Sequence, residues 1–228
     1  MKKIIKKAFT RLGYDIRRIK PEYSGWNASN LRNFATDIKT CVDIGAGYGT
    51  KELYKAFPDA FHVLIDPLEE YKPSLANILK EYKGQYLITA IGSQDTTLTL
   101  SIEQNSLTRS SFNKRTELTS TGKEILRTRE VPITTLDTLL EEYKFQPPFG
   151  LKIDTEGFEL EVIRGASHFL QNTEFVIAEV SYNKRFEESY RFPEFAEKMR
   201  QAGFYLCDIL KVVGKPTLFL DCMFKKFR

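Results

Sequence analysis

The chain is poor in the residues that build redox and metal sites: its 228 residues include two histidines and three cysteines. Cys41, Cys207 and Cys222 are odd in number and irregularly spaced. They match neither a disulfide framework nor a zinc site, which points to a reducing, cytoplasmic setting. With histidine confined to His62 and His168, no Ser-His-acid or Cys-His set emerges. His62 reads as a packed core residue, and His168, late in a helix, as a partner of the last helical carbonyls. Long apolar runs are missing too. None approaches the ~18 residues needed to cross a bilayer, and the basic N-terminus lacks the apolar stretch and cleavage site of a signal peptide. The body is not basic either. The net charge of +4 divides into +7 for residues 1–20, where eight Lys/Arg face Asp15 alone, and −3 for the remainder. A nucleic-acid-binding domain carries its basic stripe on the body, so no nucleic-acid partner is expected.

What is present suits a globular α/β domain, 42% hydrophobic and 28% charged. The expected division is a basic arm over residues 1–30 and one domain over 31–228. In the arm, Ile4, Ile5, Ala8, Phe9 and Leu12 recur at helical spacing, predicting an amphipathic helix over 2–13. It either packs on the domain edge or makes a membrane-surface or glycan-complex contact through its basic face, the membrane case making the protein peripheral at the inner membrane face. From residue 40, apolar strands ("TCVDIG", "AFHVLID", "GQYLITAIG", "FGLKID", "EFVIAEV") alternate with helices, as in a parallel sheet covered on both faces. Phe158 to Leu170 reads as one helix, and "FYLCDIL" with "TLFLDCMF" as an antiparallel pair at the sheet edge. A polar insertion at about 93–130 breaks the rhythm. It follows the third strand on the side where open α/β sheets bind ligands.

Two motifs carry chemistry. "VDIGAGYGT" sets Gly45, Gly47 and Gly49 between a strand and a helix N-terminus, where backbone N–H groups can approach a ligand. Asp43 precedes the first glycine, and Asp66 ends the next strand roughly 20 residues on, where an acid grips ribose hydroxyls. Val42 and Tyr48 read as packing residues. The second motif is "LKIDTEGFE", which crowds Asp154, Glu156 and Glu159 behind Lys152; such carboxylates repel unless something positive, a proton or solvent lies between them. Glu159 suits the first turn of a helix. Glu156 could serve the same role or bind substrate. Lys152 suits a structural ion pair. Glu179, within the strand "VIAEV", reads as an acceptor-binding acid, with a satisfied core ion pair as the alternative.

Together these residues resemble the class I S-adenosylmethionine-dependent methyltransferases, with "VDIGAGYGT" as the first motif and Asp66 as the ribose acid. "TTLDTLL" followed by "LKIDTEGFELEVIRGA", and then a strand ending in Glu179, is similar to the FkbM family, as is "NSLTRSSF" in the insertion. The likeness spans roughly residues 40–182. It implies a Rossmann-like fold with a seven-stranded, mostly parallel sheet, an antiparallel edge strand and helices on both faces. It further implies S-adenosylmethionine as cofactor, held by Asp43, Gly45, Gly47, Gly49, Asp66 and Ile91. O-methylation of a sugar hydroxyl on a small-molecule or glycan acceptor is the implied activity, with Asp154, Glu156 and Glu179 as the catalytic acids beside the sulfonium. Asp154 would accept the acceptor's proton; the alternative is that the acids hold a divalent cation, although no ligand spacing specifies one. "PPF" at 147–149 precedes the fourth strand, whereas the Asn-Pro-Pro-Tyr signature of amino-methylating enzymes follows it, which disfavours N-methylation. A nicotinamide-dependent enzyme and an inactive scaffold of the same fold are the rival readings.

Overall fold

The computed structural model describes residues 25–227; the helix expected over 2–13 lies outside them. The chain runs α1 (Ala28–Phe34), β1 (Thr40–Ile44), α2 (Lys51–Ala56), β2 (Phe61–Ile65), α3 (Lys72–Ile78) and β3 (Gly84–Leu87). It continues through β4 (Ala90–Ile91), β5 (Thr96–Glu103), β6 (Leu126–Thr134), α4 (Leu136–Tyr143), β7 (Phe149–Ile153) and α5 (Glu159–Arg164). β8 (Thr173–Ser181), α6 (Phe192–Gln201), β9 (Phe204–Val213) and β10 (Phe219–Lys226) complete it. The main sheet has seven strands in the order β3-β2-β1-β7-β8-β10-β9. β1, β2, β3, β7 and β8 run parallel, and β10 is antiparallel to both its neighbours. The late pair therefore supplies the antiparallel end, with β9 outermost.

Alternation along the strands sorts side chains to two cores. Val42, Ile44, Leu151, Ile153, Val176 and Ala178 pack with Leu136, Leu160 and Phe195 of α4, α5 and α6. Cys41, Leu64, Phe175 and Ile177 pack with Leu31, Leu53 and Leu75 of α1, α2 and α3. Both faces are covered, as a parallel sheet requires. The charged residues Asp43 and Lys152 break the apolar pattern and lie directly opposite each other in the β1–β7 register.

Two expectations change. "GQYLITAIG" is two strands, because the chain leaves the main sheet after Leu87 and pairs Ala90 and Ile91 with Ile133 and Thr134 of β6. That starts a second sheet, β4-β6-β5. The expected helix from Phe158 to Leu170 ends at Arg164, and a separate 3-10 turn covers Phe169–Asn172. The polar insertion is largely the β5–β6 hairpin and the segment at its tip. Leu100, Ile102, Val131 and Ile133 face the core, and the guanidinium groups of Arg127 and Arg129 grip Glu70 in the turn after β2. α4 is capped by Thr135, whose hydroxyl accepts from the Thr138 N–H at 2.9 Å, a conventional N-cap.

Candidate active site

At the carboxyl ends of β1, β2 and β7 lies a cavity of about 300 Å³. One wall is the loop after β1, with Gly45, Gly47, Tyr48 and Gly49; the opposite wall includes Leu107, Thr108, Ser110 and Phe112 of the insertion. Gly45 has φ +69°, and a Cβ there would lie 1.8 Å from the Asp154 carbonyl oxygen. The glycine loop and the tip of β7 are thus in backbone contact, and only a residue without a side chain permits it. Asp66, at the end of β2, is 5% exposed and accepts from the Gly47 and Leu68 N–H groups, each at 2.9 Å. Burial raises its pKa to about 6 despite those bonds. Ile91 also lines the cavity.

At the far end Asp154, Glu156 and Glu179 converge, with an oxygen of each within 4.8 Å of the others. Lys152 lies 3.1 Å from Asp43 and 3.5 Å from Asp154; burial opposes its charge, yet Asp43 and then Asp154 hold its pKa above the ordinary value. What faces the other two acids is a pair of arginines. Arg185 bonds Glu179 at 2.7 Å and Glu156 at 3.2 Å, and Arg115 bonds Glu156 at 3.0 Å. Burial pushes the Glu156 and Glu179 carboxyls upward against that pull. The arginines are themselves stacked: Arg115 and Arg185 both lie over the Phe186 ring, and Arg185 also lies over Phe219.

The backbone at this tip is bent sharply. Glu156 has φ 52° and Gly157 φ 99°. Glu159 holds the bend. Its Oε1 accepts from the Thr155 and Gly157 N–H groups at 3.0 Å, and its Oε2 accepts from the Tyr190 hydroxyl at 2.5 Å. The insertion clamps the same bend from outside, since Ser111 and Asn113 donate to the Glu156 and Gly157 carbonyls at 2.7 and 2.9 Å.

A family model for the methyltransferase FkbM domain matches residues 43–206. The chain belongs to the FkbM methyltransferase family. No curated protein matches the FkbM chain by sequence. Among solved structures, it is similar to the Burkholderia thailandensis 1,6-didemethyltoxoflavin-N1-methyltransferase with bound S-adenosylhomocysteine, at 13% identity and TM-score 0.48, covering 100% of this chain and 89% of that one. It is likewise similar to the magnesium protoporphyrin IX methyltransferase of Synechocystis PCC 6803 with bound S-adenosylmethionine, at 10% identity and TM-score 0.48, covering 99% and 97%. The family match makes the FkbM protein an S-adenosylmethionine-dependent methyltransferase, and its sheet order β3-β2-β1-β7-β8-β10-β9 is that of the class I fold. Its cavity fits that cofactor in kind: a glycine-rich loop approaches a buried acid, and apolar walls flank them. The cofactor supplies an electrophilic methyl group; Gly45, Gly47, Gly49, Asp66 and Ile91 line the space that would hold it.

Asp43 needs correction. It does not line the cavity but lies fully buried beneath the loop, bound by the Tyr54 hydroxyl at 2.5 Å and paired with Lys152. Its effect on a ligand would pass through the loop that Lys152 also bonds, at the Gly45 carbonyl. Tyr48 departs from expectation in the other direction: its ring is 64% exposed at the cavity rim, whereas Val42 is packed as expected. His62 is a core residue bonded to the Phe57 carbonyl. His168 meets no helical carbonyl, because the helix stops earlier; its N–H donates to Asp137. Lys152 forms the expected ion pair. Glu179 forms the core ion pair, with Arg185, and its side chain also lines the cavity.

Asp66 gives a pH prediction. If cofactor hydroxyls donate to its ionised form, affinity should follow that form, which with a pKa of about 6 falls about tenfold between pH 7 and pH 5. Affinity for S-adenosylhomocysteine is expected to fall about as much over that range by calorimetry, and the Asp66→Asn variant to be weak at both pH values. A pH-independent wild type would contradict the assignment.

Proposed function

We propose that this methyltransferase methylates a hydroxyl group of a sugar, on a glycan or glycolipid precursor, with Asp154 receiving the hydroxyl's proton. The observation that carries the reading is the unequal treatment of the three acids. Glu156 and Glu179 are held by arginines, whereas the Asp154 side chain is 38% exposed, lines the cavity and is paired, among the described residues, with Lys152 alone, at 3.5 Å. A carboxylate is a weak base toward an alcohol, so its contribution is to orient the hydroxyl and accept the proton late, with proximity supplying much of the rate. Carboxylate oxygens at Glu156 and Glu179 offer acceptors to neighbouring hydroxyls of a polyol. Oxygen atoms this close would also suit a hard cation. Two guanidinium groups bonded to the same carboxylates supply the countercharge instead and repel an incoming cation, which favours direct proton acceptance. The acceptor class is tested by a screen of sugars and glycolipids for methyl transfer; transfer confined to amines or carboxylates would refute it.

A membrane-linked acceptor would also give the arm of residues 1–20 a role. Eight Lys/Arg against one acid favour an anionic surface. Deleting the arm is expected to abolish binding to phosphatidylglycerol vesicles and leave cofactor affinity intact. Binding by the full chain should weaken as salt shortens the screening length below about 10 Å. Salt-independent vesicle binding would rule out the electrostatic contact.

A further inference from the structure

Tyr71 is a cavity residue that neither the glycine loop nor the ribose acid accounts for. Its ring is 2% exposed and packs edge-on to Tyr48, with centroids 5.0 Å apart. A carbon added to Gly47 would sit 3.7 Å from its Cζ, so the ring lies against the middle of the glycine loop. Yet its buried hydroxyl has no hydrogen-bond partner among the described residues. Buried polar groups are nearly always satisfied, and a phenylalanine would fill this volume without the desolvation cost. The orphan is also held firmly in place. β2 ends at Ile65, just before Asp66; the 3-10 turn Glu69–Tyr71 follows, and Glu70 is gripped by Arg127 and Arg129. Burial, and then the charge of Asp66, raise the phenol's pKa, so the hydroxyl keeps its proton and remains a donor at neutral pH.

We infer that the Tyr71 hydroxyl hydrogen-bonds a ribose hydroxyl of the bound cofactor, beside Asp66, and so sets affinity for the nucleoside part of the ligand. The inference rests on the cavity being the S-adenosylmethionine site and adds a contact from a third segment of chain, one that the β5–β6 hairpin braces through Glu70. A hydroxyl left without a partner until ligand arrives stabilises the complex at the expense of the empty protein.

The test is Tyr71→Phe, which removes the oxygen and keeps the ring. By calorimetry, its affinity for S-adenosylhomocysteine is expected to fall about 3- to 10-fold, the scale of one neutral hydrogen bond. The same loss is expected for methylthioadenosine, which keeps the ribose and lacks the amino-acid part. The Tm of the ligand-free variant should equal or exceed that of wild type, since an unsatisfied group is gone. Unchanged affinity for S-adenosylhomocysteine overturns the inference. A loss absent with methylthioadenosine overturns the ribose assignment by moving the contact to the amino-acid part. A lowered Tm without ligand shows that the hydroxyl is bonded within the protein and overturns the inference as well. Failure of the wild type to bind S-adenosylhomocysteine would instead remove the cofactor site itself, a distinguishable result.

Discussion

Asp154→Asn is expected to bind S-adenosylhomocysteine with near wild-type affinity and to turn over roughly 10²–10⁴-fold more slowly, the range for losing a positioned general base. Asparagine preserves the shape and the reach of the side chain, and the backbone contacts to Gly45 and Ile44 do not involve the carboxylate. Only the charge and the proton-accepting oxygen go. Glu156→Gln and Glu179→Gln then separate direct proton acceptance from cation chemistry. Under direct acceptance they chiefly raise the KM for acceptor, and a chelator leaves the wild type active. With a required cation they lower kcat about as much as Asp154→Asn, and a chelator silences the enzyme. Wild-type turnover by Asp154→Asn at saturating acceptor would leave the side chain with no chemical role.

The second large effect is on stability. Arg185 is nearly fully buried and is the partner of Glu179 and, with Arg115, of Glu156. Arg185→Met keeps much of the packing between Phe186 and Phe219 but strands the buried Glu179 carboxylate and leaves Glu156 to Arg115 alone among the described residues. Breaking a buried pair in this way costs about 3–5 kcal/mol. The sign of the pH dependence follows from the upward shift of both acids. A carboxyl whose folded pKa lies above its unfolded value takes up protons on folding, so stability falls as pH rises through that window. Losing the guanidinium widens the window. The variant's deficit, measured by urea denaturation, is therefore expected to be largest near pH 8 and to shrink as pH falls toward 5. A deficit independent of pH would show that Arg185 acts by packing rather than by charge.

Residues adjacent in the chain, and those ordered by strand periodicity, were legible in the sequence. The glycine loop, Asp66 and the strand carrying Asp154 follow from local spacing, and so does the alternation that covers both sheet faces. Contacts made across the fold were not. Arg115 lies in the insertion and Arg185 beyond β8, and nothing near either in sequence indicates a carboxylate partner. One signal was present: the tripeptide Asn-Lys-Arg occurs at both 113–115 and 183–185. The two segments meet as an antiparallel bridge between Arg115 and Phe186, with the Thr116 N–H donating to the Arg185 carbonyl at 2.9 Å. Asp43 was misplaced for a related reason. Its position before the glycines resembles a ligand contact, but strand parity turns it toward α2 on the face that Cys41 shares, where Tyr54 and Lys152 enclose it. The split of β3 from β4 was hidden because an apolar run reads the same in one sheet or two.

The central claim is methyl transfer to a hydroxyl at the Asp154 tip. It is tested most directly by supplying the wild-type enzyme with S-adenosylmethionine carrying a ¹³C-methyl group, a panel of sugar and glycolipid acceptors, and excess chelator. The account predicts a product whose labelled methyl gives a methoxy carbon–proton correlation and survives base treatment, as an ether does, and which the Asp154→Asn enzyme forms at a small fraction of the wild-type rate. Label found in an N-methyl group or a base-labile ester, or product formation abolished by the chelator, would contradict it.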